Sequence, residues 1–79
     1  MAFFCYILEC SDGTYYTGWT TEPERRLRQH NGGTGARYTR SRLPVRMVYV
    51  EECIDRTTAM KRERAIKALS RSRKEKLIS

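Results

Sequence analysis

The sequence predicts a small α/β domain of the α+β kind, a three-stranded mixed β-sheet flanked by helices in the order strand, strand, helix, strand, helix, helix. Two observations carry most of that prediction. Phe3–Glu9, Thr14–Thr20 and Val45–Glu51 are short stretches rich in aromatic and β-branched residues, separated by turn residues or longer polar segments. Three other segments each open on a helix-start signal. Size is the third constraint: 79 residues, 39% hydrophobic and 32% charged, leave room for one domain, spanning 1–79, with one modest core.

The first stretch, FFCYILE, alternates Phe4, Tyr6 and Leu8 with Phe3, Cys5 and Ile7. Both faces are apolar, which predicts a central strand covered on both sides. Tyr6 then has two readings, a core residue with a satisfied hydroxyl or a functional hydroxyl emerging at the strand edge. Ser11-Asp12-Gly13 signals a turn, and TYYTGWT reads as the antiparallel hairpin partner. A helix follows. Thr21 is the expected cap, Glu24 completes a capping box, and Pro23 falls in the first turn. Arg26 and His30 lie four residues apart on one helical face, and Leu27 is the only large apolar residue there. That face is therefore not explained by core packing, and with Tyr16 beside it the stretch suggests a phosphate site.

Asn31–Pro44 combines Gly32, Gly33 and Gly35 with Arg37, Arg40 and Arg42 around Tyr38. It reads either as a nucleic-acid contact loop, with Arg37, Tyr38, Arg40 and Arg42 as the binding residues, or as a mobile solvated connection. Walker A spacing is absent. After the third strand, which can join the sheet through a helical crossover, Asp55 or Thr57 starts a helix running to about Leu69. Its apolar stripe is Ala59, Met60, Ile66 and Leu69, and Glu63 falls inside it. An inward carboxylate must be paired, hydrogen-bonded or bound to a metal. Ser72 and Glu75 predict a capping box for a last short helix.

Sixteen Lys+Arg against nine Asp+Glu give a net charge of +7, which points to a polyanionic partner, with a merely basic protein as the alternative. The cationic side chains of the last two helices, Lys61 to Lys76, read as backbone attraction or as a solvated face. Cys5, Cys10 and Cys53 lack metal-ligand spacing and read as buried reduced thiols. The apolar run Ala2–Leu8 is too short for a bilayer and lacks the marks of a signal peptide, so the expected location is the cytoplasm.

Taken together, these residues resemble the GIY-YIG nuclease domain, in particular its small stand-alone bacterial members, over nearly the whole chain. Phe4-Cys5-Tyr6 stands at the first motif and keeps its tyrosine; Tyr16-Thr17-Gly18 stands at the second and keeps tyrosine and glycine. Tyr6 to Tyr16 and Tyr16 to Arg26 are each ten residues, as in the family. Departures are the missing Gly and Ile of the first motif, Thr17 in place of an aliphatic residue, and no asparagine beyond Asn31. The resemblance implies an endonuclease that hydrolyses phosphodiester bonds in DNA, or alternatively RNA, with low sequence specificity. It implies Tyr6, Tyr16, Arg26 and His30 as catalytic residues, with Tyr6, Tyr16 or His30 as proton acceptor. It implies Glu63 as ligand to one Mg²⁺ or Mn²⁺, completed by substrate phosphate. Arg26 and the metal are expected to favour the Tyr6 phenolate. The alternative is a non-catalytic nucleic-acid-binding module that retains the fold.

Overall fold

The computed structural model describes residues 2–79. Its elements run β1 (Phe3–Glu9), β2 (Tyr15–Thr20), α1 (Pro23–Asn31), α2 (Arg37–Arg40), β3 (Arg46–Cys53), α3 (Arg56–Lys67) and α4 (Arg71–Ile78). The sheet order is β2-β1-β3, so β1 is central. Both of its faces are covered, in agreement with its two apolar faces.

One expectation about the sheet is corrected. It is not mixed: β1 is antiparallel to β2 and to β3. The crossover from β2 to β3 does join two strands of the same direction, but β1 lies between them. A hairpin partner already in the middle turns the expected parallel neighbour into a second antiparallel one. The β1–β3 ladder shifts register between Ile7 and Leu8, whose partners are Tyr49 and Met47, leaving Val48 as the extra residue of a bulge.

Alternation along β1 separates two buried clusters. Tyr6 and Leu8 pack with Cys10, Val45, Leu27 and Met47 on the side of α1. Cys5 and Ile7 pack with Cys53, Ala59 and Ile66 on the side of α3. All three cysteines are free and buried. Cys5 Sγ donates to the Ala59 carbonyl oxygen at 2.9 Å and lies 3.9 Å from Cys53 Sγ. Burial and that neighbouring thiol push the Cys5 pKa up to about 12, so it stays a neutral thiol.

The helix starts differ from the sequence reading in two places. Glu22, not Thr21, precedes α1, and no side chain caps it. Thr20 Oγ1 instead accepts from the Glu22 N–H at 3.1 Å, closing the turn one residue earlier. Asp55 caps α3 as expected, accepting from Thr58 N–H at 2.7 Å. Ser70, not Ser72, caps α4 through the Arg73 N–H. Met60 is largely exposed rather than part of the buried stripe, whose buried members are Ala59 and Ile66.

The segment between α1 and β3 is more ordered than a glycine-rich loop requires. The Asn31 side chain donates to the Val45 carbonyl at 2.9 Å and accepts from its N–H at 2.7 Å, tying the two ends together. Within that closed segment α2 forms one short helical turn with Thr39 fully buried. Among the described residues, no helix is long and apolar enough to cross a membrane.

Candidate active site

Tyr6 points from β1 toward α1, and its hydroxyl lies 2.9 Å from His30 Nε2. His30 Nδ1 lies 2.9 Å from Thr39 Oγ1, which donates to the Ala36 carbonyl at 3.1 Å. With the Thr39 hydroxyl turned to the Ala36 carbonyl, the matching tautomer of neutral His30 carries its hydrogen on Nδ1 and presents a lone pair at Nε2, to which Tyr6 donates. The neutral state follows from burial, with the Arg26 charge second, which pushes the His30 pKa down to about 4.

Two glycines make room for this pair. A Cβ on Gly18 would lie 2.6 Å from the Tyr6 hydroxyl oxygen, and one on Gly35 would lie 2.5 Å from His30 Nδ1. Neither position tolerates a side chain without moving the ring it faces.

In front of Tyr6 lies an open cleft of about 500 Å³ bordered by Tyr6, Tyr16, Gly18, Arg26 and Glu63. Arg26 is held by neutral acceptors, Gln29 Oε1 and the Gly35 carbonyl, both at 3.0 Å. Among the described residues it has no carboxylate partner, so its charge remains available to an anion. Glu63 projects from α3 with about a quarter of its side chain exposed; its nearest cation is Lys67 Nζ at 3.9 Å, not an arginine. The cleft therefore pairs an uncommitted guanidinium with a loosely held carboxylate.

Tyr16 packs edge-on against His30 with centroids 5.3 Å apart and stacks on Tyr38 at 5.9 Å. Burial raises the pKa of both Tyr6 and Tyr16. At Tyr6 the nearby Arg26 guanidinium pulls the other way, yet burial outweighs it. Arg26 thus pulls toward the phenolate as expected, but burial prevails, and without a bound metal both tyrosines are neutral phenols.

Of the expected site residues, Tyr6, Tyr16, Arg26 and Glu63 come together at the cleft, while His30 is fully buried behind Tyr6 and does not border it. The four expected nucleic-acid contacts divide. Arg37 and Arg40 are exposed and make no ion pair among the described residues. Arg42 is committed: it pairs with Asp12 at 2.9 Å, donates to the Tyr38 carbonyl at 2.7 Å and lies 3.9 Å over the Tyr38 ring. Tyr38 is partly exposed between these groups. Thr39, Gln29, Trp19 and Arg56 carry no sequence signal for the site, and Gly35 is marked only as one of three loop glycines; each touches the site or borders the cleft.

A family model described as the GIY-YIG catalytic domain matches residues 2–76. The chain belongs to that family. It is similar to a UPF0213 protein of Halobacterium salinarum, 54% identical over 72 residues that cover 91% of this chain and 94% of the relative. A UPF0213 protein of Desulfotalea psychrophila is 58% identical, covering 98% of this chain and 71% of its own. Two solution structures share the fold. The UPF0213 protein of Bacillus halodurans has a TM-score of 0.62 at 46% identity, covering 99% of this chain and 83% of that one. A protein of E. faecalis has a TM-score of 0.65 at 49% identity, covering 96% of this chain and 81% of its own.

A divalent metal is implied by the resemblance, so the donor set matters. Glu63 offers hard oxygen atoms with no side-chain partner closer than 3.9 Å among the described residues, which suits Mg²⁺ or Mn²⁺. No group of three or more His, Cys, Asp or Glu suited to a metal occurs among the described residues. The residues fit a cation held by one protein carboxylate, with water and phosphate as its other ligands.

Proposed function

We propose that this GIY-YIG domain is a metal-dependent endonuclease that hydrolyses phosphodiester bonds in DNA with little sequence preference. The observation that supports this reading best is the convergence on one cleft of Tyr6, Tyr16, an unneutralised Arg26 and a loosely paired Glu63. Arg26 would fork onto the scissile phosphate, its orientation already set by Gln29 and Gly35. Glu63 would hold the metal, which when bound supplies charge neutralisation for the phosphate and leaving oxygen.

Proton transfer is carried by the chain's own residues. A water at the Tyr6 oxygen gives its proton to that oxygen while the Tyr6 proton moves to His30 Nε2, 2.9 Å away. Thr39 holds the opposite ring nitrogen, so His30 accepts at Nε2 alone. The Arg26 charge is one cause of the low His30 pKa. A phosphate seated on Arg26 cancels that charge and makes the histidine a better acceptor when substrate is present. Tyr16, edge-on to the same ring, positions the water.

The test is nicking of supercoiled plasmid at low salt with Mg²⁺ or Mn²⁺. Arg26→Ala and Tyr6→Phe are each expected to slow cutting by about 10²- to 10⁴-fold. Glu63→Ala is expected to abolish the metal-dependent part. DNA binding, followed separately, should survive in Glu63→Ala. Equal cutting by all four proteins would mean that the activity comes from a contaminant. Binding without cutting would leave the non-catalytic module, a reading favoured by the raised pKa values of both tyrosines.

A further inference from the structure

Trp19 is the only tryptophan of the chain, and it sits on β2, an edge strand. Its side chain packs beside Phe3, centroids 6.4 Å apart and tilted by 44°, and remains partly exposed. Although Trp19 faces away from Tyr16 and Gly18 in the strand's alternation, it borders the same cleft, together with Arg56 of α3. The Arg56 guanidinium lies 5.6 Å from the indole centroid. Among the described residues it has no carboxylate within ion-pair distance, and the side chain is exposed.

The cleft is a gap bounded by β2, by the start of α1 and by Arg56 and Glu63 of α3. Tyr16 and Trp19 are three residues apart on the strand, roughly 10 Å at strand rise. Arg56 and Glu63 are seven apart on the helix, roughly 10 Å at helical rise. One end of the gap thus holds the groups suited to phosphate chemistry, and the other holds an indole under a movable guanidinium. Tyr38 differs from Trp19 on this point. Arg42 covers it at 3.9 Å and is itself locked by Asp12, so no base can replace that contact cheaply. At Trp19 the covering cation is looser and unpinned.

We propose that Trp19 and Arg56 form a stacking subsite for an unpaired nucleobase next to the scissile phosphate, so that the cleft takes single-stranded or locally opened nucleic acid in preference to intact duplex. This rests on the nucleic-acid reading of the same cleft. An indole and a guanidinium both recognise the flat face of a base regardless of its sequence, consistent with low sequence preference. In duplex each base face is occupied by its neighbours, so reaching Trp19 requires an unstacked nucleotide, which a single strand offers at least cost.

Binding without divalent metal tests this independently of cutting. The probes are a short single-stranded oligodeoxynucleotide, its duplex, and the same strand with abasic residues, followed by anisotropy and by emission of the sole tryptophan. The expected result is quenching by the intact strand and not by the abasic one, with the strand bound about tenfold tighter than duplex. Arg56→Ala, a change at an exposed position, is expected to erase most of that preference, and Trp19→Phe to reduce it. Equal binding of all three probes, or an unchanged preference in Arg56→Ala, would overturn the subsite and leave the nucleic-acid reading standing. Failure of every probe to bind at low salt would overturn both.

Discussion

The central strand β1 divides the molecule into two halves that handle polarity in opposite ways. Toward α1 and α2, Tyr6, His30 and Thr39 are fully buried or nearly so, and each is hydrogen-bonded in a chain ending on the Ala36 carbonyl. Toward α3, the buried set is Cys5, Ile7, Cys53, Ala59 and Ile66. The one buried hydroxyl at that level of the sheet, Thr17 Oγ1, has no partner among the described residues. A buried polar group is tolerable when every member of its network is satisfied and costly when it is not. The buried interior behind Tyr6 is fully paired; the interior toward α3, the helix that lends Glu63 to the cleft, is apolar and contains the orphan.

The largest expected effect separating the halves is acid sensitivity. His30 has its folded pKa depressed from 6.5 to about 4, so the unfolded chain takes up the proton first. The resulting stability is present in full above about pH 6.5 and drains away as pH falls toward 4, by about 3 kcal/mol at most. His30 is the only histidine, and the carboxylates with depressed values, Asp12, Glu51 and Asp55, start from 3.8 to 4.5 and act lower. Urea midpoints measured between about pH 7 and pH 5 should therefore fall for wild type and stay level for His30→Gln. A slope that survives the substitution would show that the histidine is not held neutral.

Next comes the space the paired half needs. Gly35→Ala would place a Cβ 2.5 Å from His30 Nδ1 and 2.7 Å from its Cα, so backbone as well as ring must shift. A loss of about 1–3 kcal/mol is expected, with the Tyr6–His30 contact lengthened. Gly32→Ala is the control, because its Cβ would approach nothing closer than the Arg28 carbonyl at 3.2 Å and its φ of −81° suits any residue. Thermal melts of the two variants measure the difference directly. Similar small losses would mean that the histidine has room to move.

These two tests also mark where the sequence is silent. The centrality of β1 is legible because Phe3–Glu9 is apolar on both faces. That β1 also separates β2 from β3 is not, because the strand taking the middle is decided by pairing across the whole chain. Glu63 stands out as a carboxylate inside an apolar stripe, and the cleft does contain it. His30 is misleading in isolation. On a helix with one large apolar residue it reads as surface, and its burial depends on Tyr6, 24 residues before it, and Thr39, nine residues after. Among the loop glycines, nothing local singles out Gly35 as the one against the ring.

The smallest expected effect has the opposite sign and lies in the apolar half. Thr17 is 3% exposed, its register partner on β1 is Ile7, which places it on the α3 side, and it does not itself line the cleft. Thr17→Val keeps the β-branched shape and replaces the orphan hydroxyl by a methyl, so it should stabilise the fold by about 1 kcal/mol. Thr17→Ser keeps the hydroxyl and loses the methyl, so it should destabilise by a similar amount. Thr17→Val keeps the side-chain shape at a position that does not line the cleft, so plasmid nicking, where present, should be unaltered by it. Chemical denaturation of the three proteins decides the point. If valine costs stability, the hydroxyl is satisfied after all, by a bound water or a backbone shift. The contrast between a paired half and an orphaned one then reduces to the histidine alone.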